Sequence, residues 1–380
     1  MSRPPAESLL EAFAEFKPSL VESDLADFSR LRLQGRMSCQ VAPRKADVVG
    51  RIIQRAGETG IPVRIRAQGH SLNGSCLPES SELLLATRNF RHVRFEEPGT
   101  VTAGGGIVLW VLQHIVRRYG FDLPVVNDGY PGPSVGGYIS AGGFGPRSAQ
   151  YGGFWSNVAA IRLIDGTGRL HDIAAGDPRF PWLFGSMGQL GIFFDAKLAL
   201  VPLDPSDTPR YPLGRALVAP QLVQSRVPAE YAVEGEERLF WFTLFTPDER
   251  LDEAHQDLKA LERRHDAALR FQERYRYPIL DRGLIAPLVY PYAGAFTATG
   301  AWGWLKDASG DGVARLREFD RDFMALALSK PHYRRYVQSE LASGPETYRA
   351  CFGEEAYRSL LRHKAELDPG SLLNRGSVFA

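Results

Sequence analysis

Nine of the 25 residues from Gly129 to Gly153 are glycine, in a chain that has 38 glycines among 380 residues. Ordering a glycine costs more chain entropy than ordering any other residue, so packing alone does not gather them. A segment this rich in glycine must turn sharply or lie flat against something that approaches the backbone closely. GYPGPSVGGYISAGGFGPRSAQYGG therefore limits the possible folds more than any other stretch. Well upstream, RAQGHSLNG (Arg66–Gly74) forms a second glycine-flanked loop, and this one presents a histidine. Two such loops joined by strand and helix patterns point to a large, flat, phosphate-bearing ligand.

Composition removes several alternatives. Lysine plus arginine number 45 and aspartate plus glutamate 44, a net charge of +1, so neither a nucleic-acid nor a membrane-surface partner is expected. No apolar run approaches the roughly 18 residues of a transmembrane helix. MSRPPAESLLEAFAEF has no basic region followed by an apolar core, so it does not read as a secretion signal. Cys39, Cys76 and Cys351 are far apart, with no CxxC pair and no metal-ligand spacing. The expectation is a cytoplasmic, reduced protein of two domains, without disulfides or zinc.

Local patterns order the chain. Ala46–Gly60 carries a helical apolar stripe ending in a glycine C-cap, and IPVRIRA then alternates as a strand into the histidine loop. SELLLAT and VTAGGG read as short strands, and IVLWVLQHIVRRYG as a helix. NVAAIRLIDGTGRLHDI is a hairpin around Asp165–Gly168, followed by LFGSMGQLGIFFDAKLALVP, a glycine-rich turn into a strand. Beyond Asp204 come an aromatic strand, FWFTLFT, and a charged amphipathic helix, then RFQERYRYPIL, the apolar FTATGAWGWL and another helix. This pattern describes a small α+β unit over about residues 205–335. Its aromatics Phe240, Trp241, Tyr290, Tyr292, Trp302 and Trp304 read as core and interface more readily than as a substrate platform.

Each chemical motif has a plain counterpart. The histidine loop reads as a phosphate cradle, with Ser71 as hydroxyl donor and Arg66 as charge partner, or as a tight surface turn. GGGIVLW (Gly104–Trp110) fails the dinucleotide fingerprint because Leu109 stands where the third glycine belongs. Gly132–Gly136 matches the G-x-S-x-G of a hydrolase elbow. Two prolines break its approach, however, and a hydrogen bond to a ligand or to its own turn suits Ser134 better. Asp128, within Asn127-Asp128-Gly129, is either ordinary turn chemistry or a base at the mouth of the belt.

Taken together, five stretches resemble the FAD-linked oxidoreductases of the vanillyl-alcohol oxidase and para-cresol methylhydroxylase (PCMH) fold. The likeness is nearest to the cytokinin dehydrogenases, with some features of the berberine-bridge enzymes. RAQGHSLNG is similar to R-G-x-G-H-S-x-x-G, and the belt to D-Y-x-x-x-T-V-G-G-x-x-S-N-A-G with its later R-x-x-x-Y-G. LFGSMGQLGIF is similar to L-x-G-x-x-G-Q-F-G-I, and YVQSEL and DPGSLLNRGSVF match the closing motifs. The resemblance implies an α+β protein with a PCMH-type FAD-binding domain split in sequence, residues 1–204 and 336–380. A smaller α+β substrate domain, an antiparallel sheet with helices, is inserted at residues 205–335.

By the same resemblance, His70 forms an 8α-histidyl bond to FAD. Ile65, Arg66, Ala67, Gln68, Gly69 and Ser71 surround the cofactor, as do Ser134, Gly136, Gly137, Ser140, Gly143 and Phe144 from the belt. Ile192, Asn374 and Ser377 complete the set. GYPGPSVGG holds no cysteine, so the second covalent bond of berberine-bridge enzymes is not expected. Asp128 matches the proton-accepting aspartate of cytokinin dehydrogenases, offset by one residue from V-G-G, and Tyr336 lies beside the flavin. The implied reaction moves hydride from a carbon bearing an amine or hydroxyl of a small molecule to flavin N5. Asp128 or Tyr336 assists the proton, and oxygen or another acceptor takes the electrons. A flavin-fold binding or assembly protein without turnover, and a serine hydrolase on Ser134, are the alternatives.

Overall fold

The computed structural model describes residues 6–21, 25–31, 33–34, 38–128, 132–204, 206, 238–306, 310–339 and 344–376. It is a mixed helix and sheet structure with three main sheets. The first contains β1 (Ser19–Val21), β2 (Ser38–Val41), β3 (Val63–Arg66) and β4 (Leu83–Ala86), in the order β1-β2-β4-β3. The β2–β4 and β3–β4 pairs are parallel. Parallel strands need a crossover, and helix α1 (Ala46–Thr59) supplies one between β2 and β3. It buries Val49, Ile52, Ile53 and Ala56, and it stops at Gly60, whose φ of 67° suits the left-handed C-cap. Leu373 returns from the far end of the sequence to bridge Val63.

The second sheet is antiparallel throughout: β5 (Val93–Phe95), β6 (Thr100–Gly104), β7 (Val158–Ile164), β8 (Leu170–Ala174) and β9 (Ile192–Ala199), in the order β8-β7-β9-β6-β5. The expected hairpin is β7–β8. Helix α2 (Leu109–Arg117) and helix α3 (Val135–Ala141) join the same large core. Three consecutive glycines leave β6. A Cβ at Gly104, Gly105 or Gly106 would lie 2.3, 2.1 or 2.0 Å from the carbonyl oxygens of Phe90, Phe193 and Thr87. Backbone packed against backbone is thus the first reason for that run.

The third sheet is also antiparallel: β10 (Leu239–Pro247), β11 (Leu269–Ile279), β12 (Phe296–Leu305) and β13 (Arg334–Arg335), ordered β11-β12-β10-β13. Side chains alternate between its faces. Phe240, Phe242 and Leu244 pack beneath helices α4 (Leu251–His265) and α5 (Gly310–Leu328), with Leu258, Leu261, Phe319 and Phe323. Leu239 and Trp241 face the opposite way. On β11, Leu269 and Phe271 join the helix side, yet Tyr275 and Tyr277 share the face of Trp241 although all four numbers are odd. A register shift between Phe271 and Glu273 explains this, because one extra residue exchanges the two faces of everything after it.

Gly300 of β12 gives Tyr275 room. A Cβ there would lie 2.7 Å from the Tyr275 hydroxyl, which donates to the Phe242 carbonyl at 2.7 Å. Among the described residues, no helix is long and apolar enough to cross a membrane.

Candidate active site

The histidine loop leaves β3 and is braced from below. Arg66 does not reach outward. Its guanidinium donates to the Ala26 carbonyl at 2.8 Å and to Cys76 Sγ at 3.1 Å, and it fills the space beside Gly69, where a Cβ would lie 2.4 Å from it. Gly69 has φ 70° and turns the chain over this arginine. Asp27, buried, accepts from the Gly74 amide at 2.7 Å and from Ser29 at 2.7 Å. Burial pushes its carboxyl up to about 6, against the opposing pull of those hydrogen bonds.

His70 stacks on Phe28 with ring centroids 4.5 Å apart and 14° between planes. The walls around the imidazole lower its pKa to about 4 through loss of hydration, so it is neutral at pH 7. A histidine that resists protonation when folded binds fewer protons than its unfolded counterpart between those two pKa values. Stability therefore falls as the pH drops from about 6.5 to about 4 and levels off below that. Denaturant titrations across this range check the sign, and His70→Gln should flatten the slope.

The belt is laced to the triple-glycine turn. Val135 and Gly136 donate to the carbonyls of Ile107 at 2.9 Å and Gly105 at 2.8 Å, and Leu109 donates to Pro133 at 3.0 Å. Ser134 caps α3, its Oγ accepting from the Gly137 amide at 3.1 Å. Its hydroxyl thus serves its own turn, one of the two roles that the sequence suggests for Ser134.

Loop, belt and third sheet enclose a cavity of about 660 Å³. Of the residues expected around a cofactor, Ile65, Ala67, Gln68, Gly69, His70 and Ser71 line it. So do Ser134, Gly136, Gly137, Ser140, Phe144 and Asn374, together with Asp128 and Tyr336. Three do not. Arg66 is turned beneath its loop. Gly143 leaves room for the ring of Tyr138, which a Cβ would meet at 2.1 Å. Ile192 points into the core under the first sheet, since strand alternation gives the cavity to its neighbours Gly191 and Phe193. Ser377 lies outside the described residues.

Asn374 is a tie as well as a wall. It accepts from the Ile65 amide and donates to the Met187 carbonyl, both at 2.9 Å. Phe28, Tyr275 and Tyr277, which no sequence motif marks, also line the cavity. Trp241, Trp302 and Trp304, expected in core and interface, instead form the cavity's aromatic wall. Phe240 and Tyr290 are core, as expected.

Opposite the loops, Tyr336 sits edge-on to Phe144, Trp241 and Phe245, with centroids 5.2, 5.5 and 5.5 Å away. Burial raises its hydroxyl pKa far above the ordinary tyrosine value. The Tyr277 hydroxyl donates to Asp128 Oδ2, and Tyr277 stacks on Tyr275 at 5.2 Å. One carboxylate and several aromatic rings therefore face a wall of glycines and a neutral histidine.

The residues fit a flavin nucleotide on three counts. Gly69, Gly105, Gly136, Gly137 and Gly188 expose bare backbone along the lining. The Gln68 amide nitrogen is buried there with no protein partner and offers a donor. The imidazole of His70 is held in its nucleophilic, neutral form. Residues 37–174 match a family model described as the FAD binding domain, which contains both the histidine loop and the belt. Over this stretch the chain is similar to FAD-linked oxidoreductases.

Among its relatives is an uncharacterized oxidoreductase of the fasciation locus of Rhodococcoides fascians, 27% identical over 46% of this chain and 40% of that protein. Reticuline oxidase of Eschscholzia californica is 26% identical over 48% of the chain and 36% of its own length. Cytokinin dehydrogenase 5 of Arabidopsis thaliana is 26% identical over 49% and 36%. The matched stretch thus spans about two fifths or less of these relatives.

Proposed function

We propose that this flavoprotein oxidises a small organic substrate at a carbon bearing an amine or hydroxyl group. In this reading residues 1–204 and 336–380 together hold FAD, and residues 205–335 form the substrate cap. One observation carries it: a single cavity runs from the histidine loop and glycine belt to an aromatic sheet face, with Asp128 at the junction. When bound, FAD supplies the two-electron acceptor for a hydride leaving the substrate carbon, and oxygen or another acceptor reoxidises it.

The protein contributes position, a dry cavity and proton management. In this reading His70 would fix the cofactor covalently, with Gln68 and the exposed backbone of the belt holding its polar parts. Asp128 accepts the N–H or O–H proton as the hydride leaves. Tyr336 is the second candidate for assisting that proton, although burial holds its hydroxyl well above the ordinary tyrosine pKa. Trp241, Tyr275 and Tyr277 exclude water around the reacting group, which strengthens every charge interaction inside.

The test is anaerobic addition of small amines and alcohols while the visible flavin band is followed. One class should bleach it, and oxygen or a dye acceptor should restore it. A flavin that dithionite bleaches but no amine or alcohol does would contradict the reaction proposed.

A further inference from the structure

We propose that Tyr277 is a positioning residue for the proton-accepting carboxylate, holding Asp128 in its ionised form with one oxygen turned toward the cavity. The inference rests on the base role given to Asp128 above. Its evidence is geometric. Tyr277 reaches Asp128 from β11, 149 residues away in sequence, and donates its hydroxyl proton to Oδ2. Both residues line the cavity.

Three features fix the tyrosine. The register shift between Phe271 and Glu273 puts its side chain on the cavity face. Its ring stacks on Tyr275, with 20° between planes. Tyr275 is itself held by Thr243 Oγ1 and by the Phe242 carbonyl. A donor held this firmly loses little freedom when it makes the hydrogen bond, and a hydroxyl donating to a carboxylate favours the charged form.

Several tyrosines are among the titratable groups around this carboxylate. Tyr277 and Tyr275 come from β11 and Tyr138 from α3, while Tyr336 lies close to Tyr138 and Tyr275. Burial keeps Tyr138, Tyr275 and Tyr336 protonated. None of the three competes as an anion. The hydroxyl of Tyr277 therefore favours ionisation of Asp128, against the desolvation that the aromatic walls impose.

The experiment is an infrared pH titration of the holoprotein, reading the carboxyl stretch of protonated Asp128 as the band lost in Asp128→Asn. In Tyr277→Phe, which keeps the stacked ring, the midpoint should move up by about one pH unit. Replacing Tyr277 with 3-fluorotyrosine, a stronger donor of nearly the same shape, should move it down. This second variant serves if the phenylalanine variant does not fold. An unmoved midpoint in a folded variant, or shifts of the same sign in both, would overturn the proposal. A colourless protein whose midpoint moves as expected would leave Tyr277 in place and sink the flavin reading. A yellow protein with an unmoved midpoint would do the reverse.

Discussion

Asp128→Asn should lower the rate of substrate-driven flavin bleaching by about 10²- to 10⁴-fold, the usual contribution of a positioned general base. Asparagine matches aspartate in shape and still offers an oxygen to the Tyr277 hydroxyl. The wall of the cavity should therefore survive, and flavin content and thermal stability should change little. What disappears is the proton acceptor. Below the carboxylate's own pKa the wild-type rate falls with pH, and that acid limb should be missing from the variant. The measurement is anaerobic stopped-flow absorbance across pH, with the amine or alcohol that bleaches the wild-type protein. A variant retaining more than a tenth of the wild-type rate, acid limb included, would move the base elsewhere. Tyr336 would then be the other candidate, against the burial that raises its hydroxyl pKa.

Gly105→Ala should destabilise the protein by on the order of 3 kcal/mol and strip it of cofactor. The added methyl would lie 2.1 Å from the Phe193 carbonyl oxygen and 3.0 Å from its carbon. Both are backbone atoms, so no flexible side chain can move aside. Relief requires parting β6 from β9, yet the Gly105 amide donates to Phe194 and its carbonyl accepts from Gly136, each at 2.8 Å. Any shift thus passes directly into the belt that paves the cavity. Gly176→Ala is the matched control, since a Cβ there meets nothing within 4 Å. Thermal melts and flavin-to-protein absorbance ratios of the two variants check the claim. Equal melting points and equal flavin content would show that the belt tolerates displacement.

How far the sequence could be read follows from which signals are local. The hairpin over Asp165–Gly168, helix α1 with its Gly60 cap, and the strand entering the histidine loop are set by short-range periodicity and turn chemistry, and each forms where expected. The glycine belt and histidine loop carry their purpose in composition. Tyr277 does not. Its arrival at Asp128 depends on a bulge at residues 271–273, which reverses strand parity without any compositional mark. Without that bulge, simple alternation from Leu269 would send Tyr275 and Tyr277 toward the helices.

Arg66 and Ile192 illustrate the opposite limit. A motif match fixes where the backbone runs, but which way a side chain turns is decided by packing. Arg66 props Gly69, and Ile192 takes the core face of β9. The tryptophans failed for a related reason. An apolar patch reads as core unless the sheet on which it lies borders a cavity, and only the three-dimensional register shows that Trp241 and Trp302 are paired across β10 and β12 on such a face.

In the function proposed above, this cavity holds FAD beside His70. The most direct test is the visible absorbance of the purified protein before and after acid precipitation, with His70→Ala alongside. The expected result is a yellow protein whose colour stays in the wild-type pellet and passes to the supernatant in His70→Ala. Yellow colour that leaves the wild-type pellet as well would remove the histidyl bond while keeping the cofactor. A colourless protein that FAD cannot reconstitute would contradict the claim.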